Sequence, residues 1–209
     1  MKVQRLFTLM LVFFVLSTAT VLASSIWGDF EGYSKARVMV NGDVQQFSDS
    51  EVPAFIVNGS TVLPLRSLAD SLQSLVKWDN SNKTVSLFKP NVHMITVEKI
   101  DIDGKSYQLK QPFGEVKQGK KIDFDVFTQV DNLKANISSV KISVKSPSGS
   151  DAVAAVEKAI TKQTEAFWLP VRFSGVSFEE SGIYNVTFAM KLEGSNEYSV
   201  VSEKQIVAK

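Results

Sequence analysis

The segment Val57-Asn58-Gly59-Ser60-Thr61-Val62-Leu63-Pro64-Leu65-Arg66-Ser67-Leu68-Ala69-Asp70-Ser71-Leu72 decides the fold of the first half of this chain. Its Asn-Gly pair supplies the positive φ angles of a type I′ turn, which predicts a tight hairpin. Pro64 forces Leu63 to be extended and can stand in the first turn of a helix. The apolar residues that follow have helical spacing and form one stripe, which we expect to pack on a sheet: Leu65, Leu68, Ala69 and Leu72.

The flanking sequence extends this pattern on both sides. A second pair, Asn41-Gly42, follows the run Arg37-Val38-Met39-Val40 and predicts another hairpin. Downstream, the extended segments Val76-Lys77-Trp78 and Thr84-Val85-Ser86-Leu87-Phe88 flank a polar turn and predict a third. Residues 35–90 are therefore predicted to form a small α+β module.

These motifs, in this order, resemble the copper amine oxidase N-terminal-like domain, also called the stalk domain. The resemblance covers about residues 35–90 and includes Val40-Asn41-Gly42, the segment quoted above, Val76-Lys77-Trp78-Asp79 and Lys83-Thr84-Val85-Ser86-Leu87. It implies a small α+β unit that is accessory to catalysis and common in secreted and wall-associated proteins of Gram-positive spore formers. One departure is that Gln73-Ser74-Leu75 replaces the glycine expected soon after the helix, so the usual left-handed cap is missing.

The first 23 residues have the pattern of a secretory signal peptide. Lys2 and Arg5 precede an apolar run over residues 6–16, and Val21-Leu22-Ala23 provides small residues for cleavage. The alternative is an uncleaved membrane anchor, although the second half of the stretch is poorly apolar. Cleavage would leave residues 24–34 as an N-terminal segment and no integral membrane domain. We therefore expect a secreted or cell-surface protein.

The remainder of the chain, residues 94–209, has the strand pattern of an immunoglobulin-like β-sandwich. Apolar and polar residues alternate in about seven candidate strands. Glu180-Ser181-Gly182-Ile183-Tyr184 resembles a tyrosine corner, in which the phenol bonds a nearby backbone group. We expect a linker at residues 89–93, where Pro90 cannot donate to a sheet. Helical spacing and alanine content predict a short helix or a long loop at residues 151–162.

Composition and charge exclude several classes of function. The 209 residues contain 23 Lys and Arg against 22 Asp and Glu, so the net charge is +1, and there is no cysteine. Nucleic acid is therefore not an expected partner, since its binding needs a basic excess. Removal of residues 1–23 leaves 21 basic and 22 acidic residues, a net charge of −1. Electrostatic attraction to a charged partner should be weak.

Candidate catalytic and metal-binding residues are few. The one histidine, His93, falls in the expected linker and cannot supply the imidazoles of a copper or zinc site or a convincing Ser-His-Asp triad. Asp101-Ile102-Asp103-Gly104 resembles the start of a calcium loop, but Pro112 stands where the bidentate Glu is required, so a hairpin turn is preferred. We expect two carboxylate pairs to be solvated: Glu179-Glu180, and Asp123 with Asp125. We predict no cofactor, no metal and no enzyme activity.

Aromatic residues are the remaining candidates for contact with a ligand. Trp27 and Tyr33 lie in the segment after the signal, where no alternation assigns them to a core, and are candidates for stacking on sugars or docking a partner. The alternative is that this segment folds onto the first module. Trp78 and Trp168 are expected in the core. 

Three functions remain, in order of preference. The first is an exported, non-catalytic spacer, adhesion or binding module that contacts a cell-envelope polymer or a surface protein. The second is a protein that binds a wall polysaccharide or glycan. The third is an unrecognised hydrolase that uses carboxylates.

Overall fold

The computed structural model describes residues 28–48 and 50–209. The chain divides into two compact units, the first ending at Pro64 and the second beginning at Leu65. The division falls inside residues 35–90, and the module boundaries given above stay a prediction. The predicted signal peptide lies outside the described residues.

The described part of the first unit consists of three short antiparallel hairpins. Asn41 and Gly42 have φ of 54° and 94°, and Asn58 and Gly59 have φ of 48° and 76°. Both Asn-Gly pairs therefore form the predicted turns. The strands are β1 (Asp29–Phe30), β2 (Tyr33–Ser34), β3 (Met39–Val40), β4 (Asp43–Val44), β5 (Phe55–Val57) and β6 (Ser60–Val62).

The second unit begins with the predicted helix and hairpin. The helix α1 (Leu65–Ser71) starts directly after Pro64, and β7 (Leu75–Asp79) pairs antiparallel with β8 (Thr84–Phe88). Burial of the apolar stripe is incomplete. Ala69 is fully buried, whereas Leu65 and Leu72 are exposed.

The helix ends with a residue in the left-handed conformation that glycine usually adopts, although that residue is Gln73. Gln73 takes a φ of +54° and its N–H donates to the Asp70 carbonyl at 3.0 Å, while the Ser74 N–H donates to the Ala69 carbonyl at 2.9 Å. These two bonds are a Schellman motif with Gln73 in its left-handed position. A residue with a Cβ therefore occupies a conformation that costs it about 1–2 kcal/mol.

Two larger sheets make up the rest of the second unit, and all their strand pairs are antiparallel except β11 with β17. The four-stranded sheet has the order β10 (Ser106–Pro112), β9 (Asn91–Asp103), β12 (Lys121–Asp131) and β15 (Phe167–Ser177). The five-stranded sheet has the order β11 (Glu115–Val116), β17 (Tyr198–Ala208), β16 (Gly182–Leu192), β13 (Ile137–Lys145) and β14 (Asp151–Ala159). The described chain is thus rich in β-strand with one short helix, which confirms the expected β-rich character.

Both sheets contribute to one hydrophobic core. Alternate residues of β12, including Phe124 and Val126, are buried together with alternate residues of β13, including Ile142 and Val144. The Phe178 ring lies 6.4 Å from the Phe124 ring and 4.7 Å from the Tyr184 ring, measured between centroids. Period-two alternation in the sequence therefore identified the inward faces correctly.

Two elements differ from expectation. The helix or loop predicted at residues 151–162 is wrong, because Asp151–Ala159 forms β14. Val156 and Val153 lie opposite Ile142 and Val144 of β13, so pairing with this neighbouring strand outweighs alanine's preference for helix. His93, expected in a linker, lies within β9 opposite Gln129.

The predicted tyrosine corner is confirmed. The Glu180 N–H donates to the Tyr184 hydroxyl oxygen at 3.0 Å, and Tyr184 is only 1% exposed. The bond fixes the chain at the point where it enters β16.

Replacing the left-handed residue tests the helix end. We expect Gln73→Gly to raise the free energy of unfolding by about 0.5–1 kcal/mol, because glycine adopts positive φ without the Cβ penalty, partly offset by its greater entropy when unfolded. Urea denaturation measures the change. Gln73→Ala is the control and should leave stability nearly unchanged, and an equal gain in that variant would contradict the explanation.

Removing one hydroxyl tests the tyrosine corner. Tyr184→Phe should lower the free energy of unfolding by about 1 kcal/mol, since a partly buried backbone N–H loses its acceptor. Thermal or urea unfolding gives the value. Tyr33→Phe removes the hydroxyl of an exposed tyrosine and should have no measurable effect. An unchanged midpoint in Tyr184→Phe would show that the bond adds nothing to stability.

Candidate functional site

The outward face of the four-stranded sheet carries a half-exposed tryptophan. Trp168 is 51% exposed, so its predicted place in the core is wrong. Its neighbours Phe167 and Leu169 pack against the core, and the alternation of a strand then turns Trp168 outward. Trp78, also expected in the core, is 49% exposed on β7.

Three aromatic rings from three strands meet on this outward face, and we call Tyr107, Phe127 and Trp168 the aromatic cluster. The Trp168 ring lies edge-on to the Tyr107 ring at 5.7 Å and to the Phe127 ring at 5.9 Å, between centroids. Tyr107 and Phe127 are 5.3 Å apart. Such edge-on pairs stabilise ring positions beyond simple burial, so the cluster holds the indole in place.

A bend in β9 brings Tyr107 to this face. Pairing of β9 with β12 ends at Val97 opposite Asp125, whereas pairing of β9 with β10 continues to Asp103. The Asp125 carboxylate accepts the Ile100 N–H at 2.6 Å. Since Asp125 lies on the same outward face as Phe127, the end of the β9–β10 hairpin passes over that face.

Arg172 also holds the β9–β10 hairpin on this face. Its guanidinium donates to the Glu98 carbonyl at 3.1 Å and lies 3.3 Å from the Asp125 carboxylate. Asp125 is buried, so the expectation that it is a solvated carboxylate is wrong. Asp123 lies 3.5 Å from Arg172 and accepts the Gly175 N–H at 2.7 Å. Both carboxylates therefore hold backbone in place.

A row of polar side chains continues from the indole across the sheet. Gln129 lies opposite Trp168 on one side and opposite His93 on the other, and antiparallel partners project to the same face. The Gln129 amide donates to the Asp131 carboxylate at 2.9 Å. The outward face thus combines an exposed ring with amide, imidazole and carboxylate groups. The sequence gives this row no local signal, because its residues come from three separate strands.

The aromatic residues favoured from sequence belong to the N-terminal segment, residues 24–34. Trp27 is outside the described residues. Tyr33 is 45% exposed in the first unit, and its ring lies 5.8 Å from that of Phe55. Phe30 also contacts Phe55, at 5.6 Å. This arrangement supports the alternative that the segment folds onto its own unit, and a binding role for Trp27 and Tyr33 stays a prediction.

The calcium-like motif forms a hairpin. Asp101 lies within β9 opposite Gln108, and its carboxylate pairs with the Lys99 ammonium at 2.6 Å, which lowers the pKa of Asp101. Gly104 follows in the turn with a φ of 58°. Within the part of the chain that the structure describes, acidic and histidine side chains nowhere gather in threes at a spacing suited to a metal ion.

A second polar cluster lies on the five-stranded sheet around Tyr198. The Tyr198 hydroxyl bonds Ser139 at 2.6 Å and donates to the Glu157 carboxylate. The ammonium groups of Lys141 and Lys191 lie 4.2 Å and 5.0 Å from the centre of the ring. Burial, followed by the bond to Glu157, raises the pKa of Tyr198. The phenol is therefore held protonated as a donor and is a poor general base.

Beside this cluster is a cleft of about 190 Å³ between α1 and the turn that joins β16 to β17. Arg66 and Asp70 of α1 line one side, and Glu197 and Ser199 line the other. Ligand sites for molecules of drug size usually measure about 300–1,000 Å³, so the cleft is small for an organic substrate.

The Glu179-Glu180 pair is also structural in part. The hydroxyls of Ser146 and Ser148 donate to the Glu180 carboxylate at 2.9 Å and 2.8 Å, and the Ser148 N–H donates at 2.9 Å. These donors, led by Ser146, lower the pKa of Glu180. The carboxylate joins the turn before β14 to the tyrosine corner.

This lowered pKa makes a testable link between stability and pH. A carboxyl whose pKa is lower in the folded state stabilises the fold above its unfolded pKa, and that contribution is lost as pH falls through the folded pKa. Between about pH 5 and 3 we expect the melting temperature to fall less in Glu180→Gln than in the wild type. Glu179→Gln is the control and should follow the wild type. Identical pH profiles for Glu180→Gln and the wild type would contradict the assignment.

The described residues hold one helix, of seven residues, and it is neither long nor apolar enough to cross a membrane. No curated protein matches the chain. A family model does match: residues 39–119 correspond to the copper amine oxidase N-terminal domain. This is the non-catalytic N-terminal part of copper amine oxidases. The match includes the hairpins, helix and turn residues from which the resemblance was inferred, and it continues through β9, β10 and β11. Residues 39–119 of this chain are a copper amine oxidase N-terminal-like domain.

Proposed function

We propose that this protein is exported and acts at the cell envelope as a non-catalytic spacer, adhesion or binding module. The observation that carries the proposal is the match of residues 39–119 to a domain that is accessory to catalysis in copper amine oxidases. The N-terminal pattern of Lys2, Arg5, an apolar run and Val21-Leu22-Ala23 supports export.

The geometry of the second unit favours binding over catalysis. Three of the four carboxylates considered for acid–base work, Asp123, Asp125 and Glu180, accept backbone or side-chain hydrogen bonds that position neighbouring segments. The Tyr198 phenol is likewise engaged by Ser139 and Glu157. A hydrolase that uses carboxylates is for this reason the least supported of the three candidate functions.

We also propose an immunoglobulin-like arrangement for the strands after residue 94. Two mainly antiparallel sheets share one core, and Tyr184 makes the hydrogen bond of a tyrosine corner. Domains of this architecture commonly present binding residues on surfaces that a rigid core positions. The half-exposed Trp168 provides such a surface.

Cell fractionation followed by a binding assay tests the proposal. The protein recovered from the medium or envelope should begin at Ser24, and it should sediment with purified envelopes in both 0.05 M and about 0.5 M NaCl. Salt resistance is expected because a mature net charge near −1 leaves little long-range attraction to screen. Recovery only in the cytosol, or no sedimentation with envelopes, would overturn the proposal, and release by salt would indicate ionic adsorption instead.

A paired variant assigns the envelope contact to one end of the chain. The double substitution Trp27→Ala and Tyr33→Ala removes the aromatic candidates found from sequence. The control is Trp78→Ala, which removes one half-exposed ring. Reduced sedimentation in the first variant alone would place the contact in the N-terminal segment.

A further inference from the structure

We propose that the outward face of the four-stranded sheet is a binding site for a neutral, pyranose-based polysaccharide, with Trp168 as its stacking platform. This inference rests on the proposed binding function at the envelope and names the site and the ligand class. It is carried by the aromatic cluster and by the polar row of His93, Gln129 and Trp168.

The indole has the placement that stacking requires. Tyr107 and Phe127 meet Trp168 edge-on, at 66° and 65°, so they support the ring without stacking over it. About half of the Trp168 surface remains open to solvent. The negative face of an aromatic ring attracts the partly positive C–H groups of a pyranose, and the flat sugar face excludes water from it.

The polar row supplies hydrogen bonds at the distance of a neighbouring sugar. His93, Gln129 and Trp168 lie on three adjacent strands in register, so the row spans two strand spacings, roughly 10 Å. The amide of Gln129 and the imidazole of His93 can each donate and accept, as sugar hydroxyls do. The Gln129 amide is already oriented by the Asp131 carboxylate at 2.9 Å.

Charge selects a neutral polymer over an anionic one. The Asp131 carboxylate beside Gln129 would repel a phosphate or uronate chain. Arg172, which lies on this face, is engaged by Asp123, Asp125 and the Glu98 carbonyl. A polar rim around a ring that is half exposed also suits a hydroxyl-rich ligand better than a wholly apolar protein surface.

The site is held by residues outside it. Asp125 accepts the Ile100 N–H at 2.6 Å and so places the hairpin that carries Tyr107. Asp125 is a positioning residue in this proposal. Its loss would let Tyr107 move away from Trp168 and leave the indole less rigid.

Fluorescence of a variant with a single tryptophan tests the ligand class in the mature protein. The chain has three tryptophans, so Trp27→Phe combined with Trp78→Phe leaves Trp168 as the reporter. Cellohexaose or the fully N-acetylated chitohexaose should shift or quench its emission in a saturable way that about 0.5 M NaCl leaves unchanged. Polygalacturonate should give no saturable response. Silence with both neutral sugars, or a salt-sensitive response to polygalacturonate, would overturn the proposal.

Calorimetric titration with the hexasaccharide that binds tests the residues. Trp168→Ala should weaken binding at least about tenfold, whereas Trp78→Ala, which removes an equally exposed indole, should leave affinity within about twofold of the wild type. Equal losses in the two variants would overturn the assignment.

A second substitution decides the test if Trp168→Ala fails to fold. Gln129→Leu keeps the side-chain size but removes its amide, and we expect a threefold to tenfold loss, about what one neutral hydrogen bond contributes. Unchanged affinity in that variant overturns the role of the polar row. Envelope sedimentation separates the two proposals: a wild-type protein that sediments with envelopes but binds neither hexasaccharide keeps the envelope function and refutes only this site.

Discussion

Burial of aromatic rings between the two larger sheets is the interaction on which the second unit depends. Phe178 follows the last residue of β15 in one sheet and precedes β16 in the other, and its ring contacts both Phe124 and Tyr184. Removing one fully buried phenylalanine side chain typically costs about 3–5 kcal/mol, a large share of a total stability of about 5–15 kcal/mol. The Tyr184 hydroxyl adds a bond to the Glu180 N–H, so the same ring fixes both packing and chain direction.

Because the inward faces are buried in the core, the side chains that solvent can reach lie on the outward faces. On the five-stranded sheet, Tyr198, Lys141, Lys191 and Glu157 satisfy one another through a phenol bond and two cation–π contacts. On the four-stranded sheet, the bend of β9 places Tyr107 against Phe127 and Trp168 and leaves the indole half exposed. Exposed apolar rings bordered by polar groups are a common mark of a binding surface. This outward face therefore supports the proposed role as a binding module.

The family match and this geometry support the same kind of role. The copper amine oxidase N-terminal-like domain is the non-catalytic part of the enzymes for which it is named. In this chain, the carboxylates Asp125 and Glu180 accept backbone N–H groups, and Glu180 also accepts serine hydroxyls. These carboxylates therefore stabilise turns and bends. In other proteins, carboxylates perform acid–base chemistry.

Local chemistry in the sequence determined the Asn-Gly hairpins, the start of α1 after Pro64, the inward residues of the long strands and the corner at Tyr184, because each depends on residues close together in the chain. Tertiary structure decided what such patterns leave open. β14 became a strand because β13 offered a partner, and Trp168 turned outward because Phe167 and Leu169 occupied the core. The row of His93, Gln129 and Trp168 exists only through the register of three strands, and strand register is a long-range property that no local pattern encodes.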